Sequence, residues 1–168
     1  MDVAAEQAFR EFVTARSMAL QLSAFLLTGD RGEAEDAVQA ALVRVYRAWP
    51  RILNQGAVEG YARQVLVREV LSWRRKRRVS QLLTSETPDR SQPDDTAAAD
   101  QRDVLRRALL TLPPKQRAVV VMRYYDDLSE RQTAEVLGIT PGSVKTHASR
   151  GLAALRDALG ADDKEPQT

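Results

Sequence analysis

The sequence predicts an all-α chain of two small helical domains joined by a flexible acidic linker. Three observations carry that expectation. Apolar residues recur at helical spacing over both flanks, with no sustained strand-like alternation and no hairpin signal. Gly and Pro are sparse in those flanks. Between them, over residues 80–100, the apolar ladder stops and Ser, Thr, Pro, Asp and Gln take over. Such a stretch cannot offset its ordering entropy by burial. At ~3.3 Å per residue it reaches about 65 Å.

The elements follow in order. Residues 5–27 read as a first helix, with Phe9, Phe12, Val13, Leu20 and Phe25 among its apolar positions. Thr28-Gly29-Asp30 reads as a turn. Asp30 with Glu33 resembles a capping box, which puts acids at the positive end of the next helix. That second helix carries Val38, Ala41, Leu42, Val45, Tyr46 and Trp49 as a core-facing stripe, and Pro50 is expected to end it. A loop from Arg51 to Gly56 leads into a third helix over residues 57–78. Its apolar positions include Val58, Tyr61, Ala62, Val65, Leu66, Val70 and Trp73, and it ends in the run Arg74 to Arg78. Helices resume near residue 101, where Leu105, Leu109, Leu110 and Leu112 precede Pro113-Pro114. A helix over 114–125 and two more follow. The expected domains are therefore 1–79 and 101–160, with 80–100 as linker and 161–168 as a disordered tail.

Composition bounds the function. The chain has 168 residues, 43% of them apolar, which supports one mid-sized core or two modest ones. Cysteine is absent, so neither a disulfide nor a thiolate metal site can form. The N-terminal residues lack a signal-peptide pattern. The most apolar early stretch, Met18 to Leu27, is broken by Gln21 and Ser23 and falls short of the ~20 residues needed to span a bilayer. A cytoplasmic protein with no membrane association is expected. No Gly-rich phosphate loop is present, and the single His has no partner motif. These absences argue against an enzyme, a cofactor, a metal site and a small-molecule substrate. Net charge is only +2, but residues 1–80 hold 13 basic and 9 acidic groups, whereas residues 81–100 hold 1 and 5. Basic blocks flanking an acidic strip hint at nucleic acid.

The sharpest local pattern lies at 129–158. Ser129 and Gln132 form an S-x-x-Q capping box. Ala134, Val136 and Leu137 supply a buried side, and Gly138 stands where a left-handed cap is wanted. Ile139 plugs the turn, Thr140 caps the next helix, and Pro141 takes its first position. Val144, Ala148, Leu152 and Leu155 form the inner stripe of that helix, leaving Lys145, Thr146, Ser149 and Arg150 outward near its front. This is a helix-turn-helix pattern whose second helix could read a major groove. An ordinary helical hairpin with a solvated polar face fits the same periodicity. His147, as a lone residue, suits a surface or phosphate-contacting role better than that of ligand or catalyst.

Longer phrases carry a family resemblance. Leu112-Pro113-Pro114-Lys115-Gln116-Arg117 through Tyr124-Tyr125 looks like the opening of sigma region 4. Leu128-Ser129-Glu130 and Gly138-Ile139-Thr140-Pro141-Gly142-Ser143-Val144-Lys145-Thr146 are similar to its helix-turn-helix. Upstream, Leu26-Leu27-Thr28-Gly29-Asp30, Ala34-Glu35-Asp36-Ala37-Val38-Gln39 and Val43 to Trp49 resemble sigma region 2, as does the basic helix ending at Arg78. Together, over about 135 residues, these resemble the extracytoplasmic-function (ECF) sigma factors, which keep only regions 2 and 4. The Thr-Gly-Asp and Leu-Pro-Pro forms look most like the sigma-E family within that group.

The resemblance implies a sigma factor that binds core RNA polymerase at the beta-prime clamp and beta flap. It implies promoter DNA as ligand, double-stranded at the −35 element and single-stranded at the −10 element, and an anti-sigma factor as a further candidate partner. Asp36, Gln39, Ala40 and Val43 would form the clamp-binding strip, although a solvated face reads the same. Ala40 stands where the family commonly has Glu, so the strip carries one carboxylate fewer. Arg63, Arg68, Arg74, Arg75, Lys76, Arg77 and Arg78 would serve the −10 element, with Asn54 and Gln55 in the loop where the family captures a flipped base. Tyr61 and Trp73 could stack bases, though their place on the apolar stripe favours core packing. For the −35 element the foremost candidates are Lys145, Thr146, Ser149 and Arg150, with Ser143 and His147 secondary. His147 stands where Arg is frequent in the family. Asp89, Asp94, Asp95 and Asp100 could mimic nucleic acid inside a basic cleft. The competing readings are a helix-turn-helix regulator that is no polymerase subunit, and a polymerase-binding protein without initiation activity.

Overall fold

The computed structural model describes residues 1–54, 56–83 and 97–162. Gln55, the linker acids Asp89, Asp94 and Asp95, and the tail from 163 onward lie outside the described residues. Helices and no strands occur among the described residues. The chain divides into two units, Met1–Pro88 and Asp89–Thr168.

The first unit holds α1 (Val3–Thr28), α2 (Arg31–Asn54) and α3 (Val58–Leu83). The Asp2 carboxylate caps α1 by accepting from Ala5 N at 2.7 Å. Gly29, at φ 72°, closes the helix in the left-handed conformation that a Cβ would oppose. One residue later Asp30 accepts from Glu33 N at 2.9 Å and starts α2. The tight joint folds α2 back on α1, and buried Ala24, Ala34, Ala37 and Ala41 let the backbones approach. Trp49 is fully buried, with Phe9 edge-on at 5.2 Å and Phe12 tilted at 5.5 Å. Tyr46, expected in the core stripe, is instead 42% exposed, with its ring edge-on to Phe9 at 5.0 Å.

Two boundaries depart from expectation. Pro50 does not end α2, which runs on to Asn54. Proline removes one helical hydrogen bond, but burial of Trp49 before it and of Ile52 (2% exposed) after it holds the last turn in place. The helix stops where Gly56, at φ 63°, donates to the Leu53 carbonyl and Ala57 donates to Ile52. Those are the two bonds of a Schellman close. Second, α3 extends to Leu83 and α4 already starts at Ala97, so the ends of the expected linker are helical. Val79, Leu82 and Leu83 are exposed. Good intrinsic helix formers such as Gln81, Leu82 and Leu83, not burial, carry the last turn of α3.

The second unit contains α4 (Ala97–Leu110), α5 (Pro114–Val120), α6 (Glu130–Leu137) and α7 (Pro141–Asp162). The expected helix over 114–125 widens in its last turn, Val121–Tyr125, into π geometry, with Asp126 N reaching the Val121 carbonyl at 2.9 Å. Val119, Ala134, Val144 and Ala148 form the core, covered by Leu137 and Ile139. Buried Arg117 ties α5 to the end of α4: its Nε donates to the Leu109 carbonyl and an Nη to that of Leu112, both at 2.9 Å.

Helix α5 meets α7 at Gly151. A Cβ there would lie 2.7 Å from Val120 Cγ2 and 3.6 Å from the Gln116 carbonyl oxygen. Valine is stiff about χ1 and cannot swing away. Gly151→Ala should therefore destabilise the C-terminal unit by about 1–3 kcal/mol, despite the better helix propensity of alanine. Urea unfolding checks this, and pairing it with Val120→Ala should cost less than the sum of the two single losses.

Candidate nucleic-acid interface

The recognition surface of the C-terminal unit is built from its caps. Ser129 Oγ accepts from Gln132 N at 3.0 Å, and Gln132 Oε1 accepts from Ser129 N at 2.9 Å, completing the capping box of α6. Gly138, at φ 65°, turns the chain, and Ile139 N donates to the Ala134 carbonyl at 3.1 Å. Thr140 Oγ1 then accepts from Ser143 N at 3.1 Å to start α7. Val144, Ala148 and Leu155 are buried, with Leu152 half-buried beside them. That inner stripe forces Lys145, Thr146, Ser149 and Arg150 outward, and all four are exposed. Neither Lys145 nor Arg150 has an acidic partner among the described residues. The Thr146 hydroxyl donates to the Gly142 carbonyl at 3.1 Å, which leaves its oxygen able to accept. Ser143 and His147 sit apart from these four. Both are half-buried, Ser143 Oγ accepts from Thr140 Oγ1 at 3.0 Å within the cap, and His147 Nδ1 is buried without a hydrogen-bond partner.

In the N-terminal unit Asp36, Gln39 and Val43 are exposed along one strip of α2, with Ala40 half-buried among them. Val43 is 51% exposed there.

The basic residues of α3 divide by what they touch. Arg74 Nη2 donates to the Thr28 carbonyl at 2.7 Å, and burial lowers the pKa of its guanidinium from the usual arginine value. Arg77 is ion-paired with Glu33. Arg63 is half-buried, 3.3 Å from Glu59. Arg68, Arg75, Lys76 and Arg78 are exposed. Asn54, read as a loop residue, is the exposed last residue of α2. Trp73 and Tyr61 are half-buried.

Sequence reading passed over three arginines on α2. Arg44, Arg47 and Arg51, at i, i+3 and i+7, wall an open groove with Ala48, Pro50 and Tyr61. Helical spacing was the available signal, but interrupted by apolar residues it reads as a solvated face. Among the described residues no cluster of His, Asp and Glu could hold a metal, and no helix is long and apolar enough to cross a membrane.

Comparison with known proteins bears on both units. The family model described as "Sigma-70 region 2" matches residues 13–79, and that described as "Sigma-70, region 4" matches residues 102–155. The RNA polymerase sigma-E factor of Streptomyces avermitilis is 38% identical over 155 residues, 92% of this chain and 87% of that protein. The ECF RNA polymerase sigma factor SigL of Mycobacterium tuberculosis is 35% identical over 142 residues, 81% of this chain and 80% of that one. Among solved structures, the sigma factor RpoE bound to the anti-sigma factor NepR from Bartonella quintana superposes with a TM-score of 0.79 at 23% identity, over 93% of this chain and 99% of that one. CnrH in complex with the cytosolic domain of CnrY gives 0.69 at 20% identity, over 94% and 90%. At these identities the structural likeness speaks for the fold.

The two fates of the basic run make a test. Arg74→Met should destabilise the N-terminal unit by about 1–3 kcal/mol, because the buried Thr28 carbonyl loses its donor. Arg78→Met, at an exposed site, should change stability by less than about 0.5 kcal/mol. Thermal unfolding of the two variants distinguishes them.

Proposed function

The chain belongs to the sigma-70 family, in the ECF group of RNA polymerase sigma factors that direct transcription from promoters, and from that premise we propose how its surfaces divide the work. The observation that carries the reading is the outward set on α7. Four polar or cationic side chains, free of the core and held by a fully capped helix-turn-helix, stand on a chain that also carries a region 2 module. A stand-alone operator-binding regulator would have no use for that second module.

Helix α7 enters the major groove of the −35 element, where Lys145 and Arg150 reach guanine edges or phosphates and Thr146 and Ser149 contact bases or backbone. Ser143 positions the front of the helix through the cap, and His147 lies at the edge of the contact. Asp36, Gln39, Ala40 and Val43 dock on the beta-prime clamp of core polymerase, with alanine in place of the usual carboxylate shifting weight to the exposed valine. The beta flap is the corresponding partner for the C-terminal unit. At the −10 element Asn54 and Gln55 offer amide edges to an unstacked base, while Arg68, Arg75, Lys76 and Arg78 supply positive charge to the backbone. Arg63, Arg74 and Arg77, each paired or buried, belong to the frame that presents them. The functional modules are 1–79 and 101–160, and the intervening acids lie in polymerase. The protein works in the cytoplasm as an initiation factor without catalytic groups of its own. One structural neighbour is a complex with an anti-sigma factor, NepR, which supports control in trans by such a partner.

In vitro transcription with core polymerase on a promoter library tests the whole reading, and absence of start-site selection would sink it. Within that assay Arg150→Ala should lower −35-dependent transcription by roughly tenfold, corresponding to about 1–3 kcal/mol for one base contact. Polymerase binding should stay intact. Equal loss of both would assign Arg150 to another role.

A further inference from the structure

We propose that Glu33 is a built-in stand-in for a DNA phosphate: in the free chain its carboxylate holds Arg77, and promoter DNA must take Arg77 from it. The inference rests on the sigma reading and adds to it a self-inhibiting contact at the basic end of α3.

Three observations carry it. First, the pair joins two helices at one defined place. Glu33 lies in the first turn of α2, its amide donating to the Asp30 cap at 2.9 Å, and its carboxylate pairs with Arg77 near the end of α3. Arg74, one turn earlier on α3, is docked on the Thr28 carbonyl at 2.7 Å, so this part of α3 rests on the joint between α1 and α2. Second, Arg77 belongs to the unbroken cationic run Arg74 to Arg78, in which Arg75, Lys76 and Arg78 are exposed. Such a run gathers a polyanion, and Arg77 is the member of it that already holds an anion. Third, the partners differ in freedom. The Arg77 side chain is 54% exposed and that of Glu33 only 24%, so the arginine can leave while the carboxylate stays.

The energetics make the contact reversible. An ion pair this open to water is weak and is screened by salt. The carboxylate left behind is not stranded, because the partial positive charge at the start of α2 stabilises it with or without Arg77. A phosphate offers the guanidinium a bidentate partner, and each phosphate contact releases counterions from DNA. Arg77 therefore moves to the backbone once DNA arrives, and the energy of the broken pair is subtracted from affinity. Because phosphates carry no sequence information, the pair lowers affinity for all sequences alike.

The test uses the full-length chain assembled with core polymerase and a labelled promoter duplex, titrated by fluorescence anisotropy. Glu33→Gln should tighten binding about three- to fivefold, the range for release of one exposed ion pair. Glu33→Asp keeps an acid at the start of α2 but is one methylene shorter, so it should shift affinity in the same direction and by less. Glu35→Gln removes an exposed acid two residues on and should change affinity by less than about 1.5-fold. In an Arg77→Ala background the gain from Glu33→Gln should vanish, since nothing is left to release. Equal gains with and without Arg77 overturn the proposal in favour of general repulsion between the carboxylate and DNA. Unchanged or weaker binding by both Glu33 variants overturns it and leaves the sigma reading in place, whereas a wild-type chain that never confers promoter binding on core polymerase overturns both.

Discussion

The last carbonyls of α4 have no partners within their own helix, and Arg117 reaches across from α5 to provide them. Its guanidinium is almost wholly buried and donates to Leu109 and Leu112 at 2.9 Å and to Leu110 at 3.4 Å. A buried charge left unpaired would cost several kcal/mol. Here the partial negative charge at a helix C-terminus compensates it. The contact fixes the angle between α4 and α5, and α5 in turn carries Val120 against Gly151 of α7. Helix α4 also packs directly on α7, so the face that α7 presents depends on how the end of α4 is held. The N-terminal unit uses the same device once more, with Arg74 of α3 closing the end of α1 at Thr28. Thr28 is itself buried, its hydroxyl donating to the Ala24 carbonyl at 2.8 Å. Arginine suits both places because it keeps its charge when partly desolvated and offers several donors in a fixed fork.

One consequence is a division of labour among the cations. Arg74 and Arg117 hold helices together, Arg77 and Arg63 are matched with Glu33 and Glu59, and Arg75, Lys76, Arg78, Lys145 and Arg150 face solvent. Arg44 stands between these classes, anchored by a buried carboxylate but largely exposed. Counting basic residues along α3 overstates the charge available to a nucleic acid, while the three arginines on α2 enlarge it elsewhere. What a polyanion meets is set by burial and pairing more than by composition.

Much of the helix-turn-helix was legible because its signals are local. Ser129, Gln132, Gly138, Thr140 and Pro141 each act on backbone groups within a few residues, and each does in the fold what its chemistry requires. The turn at Gly29 and the stripe leading to Trp49 were readable for the same reason. Pro50 misled because its local cost competes with burial of Ile52, a term that exists only once α2 is packed. Tyr46 misled in the opposite direction, since periodicity places it beside the stripe and only packing shows how far the core extends.

By itself the sequence determined the helical class, the two modules and their family, the caps, and which side of α7 turns outward. All of these follow from periodicity, short-range hydrogen bonding or recognisable phrases. Tertiary structure alone decided that Arg74 and Arg117 serve helix ends, that Gly151 must lack a Cβ, and that Arg44, Arg47, Arg51 and Tyr61 line one groove. The reason is physical: an arginine's role is set by the carbonyl, carboxylate or ring that packing brings within reach, and those partners lie up to 46 residues away along the chain.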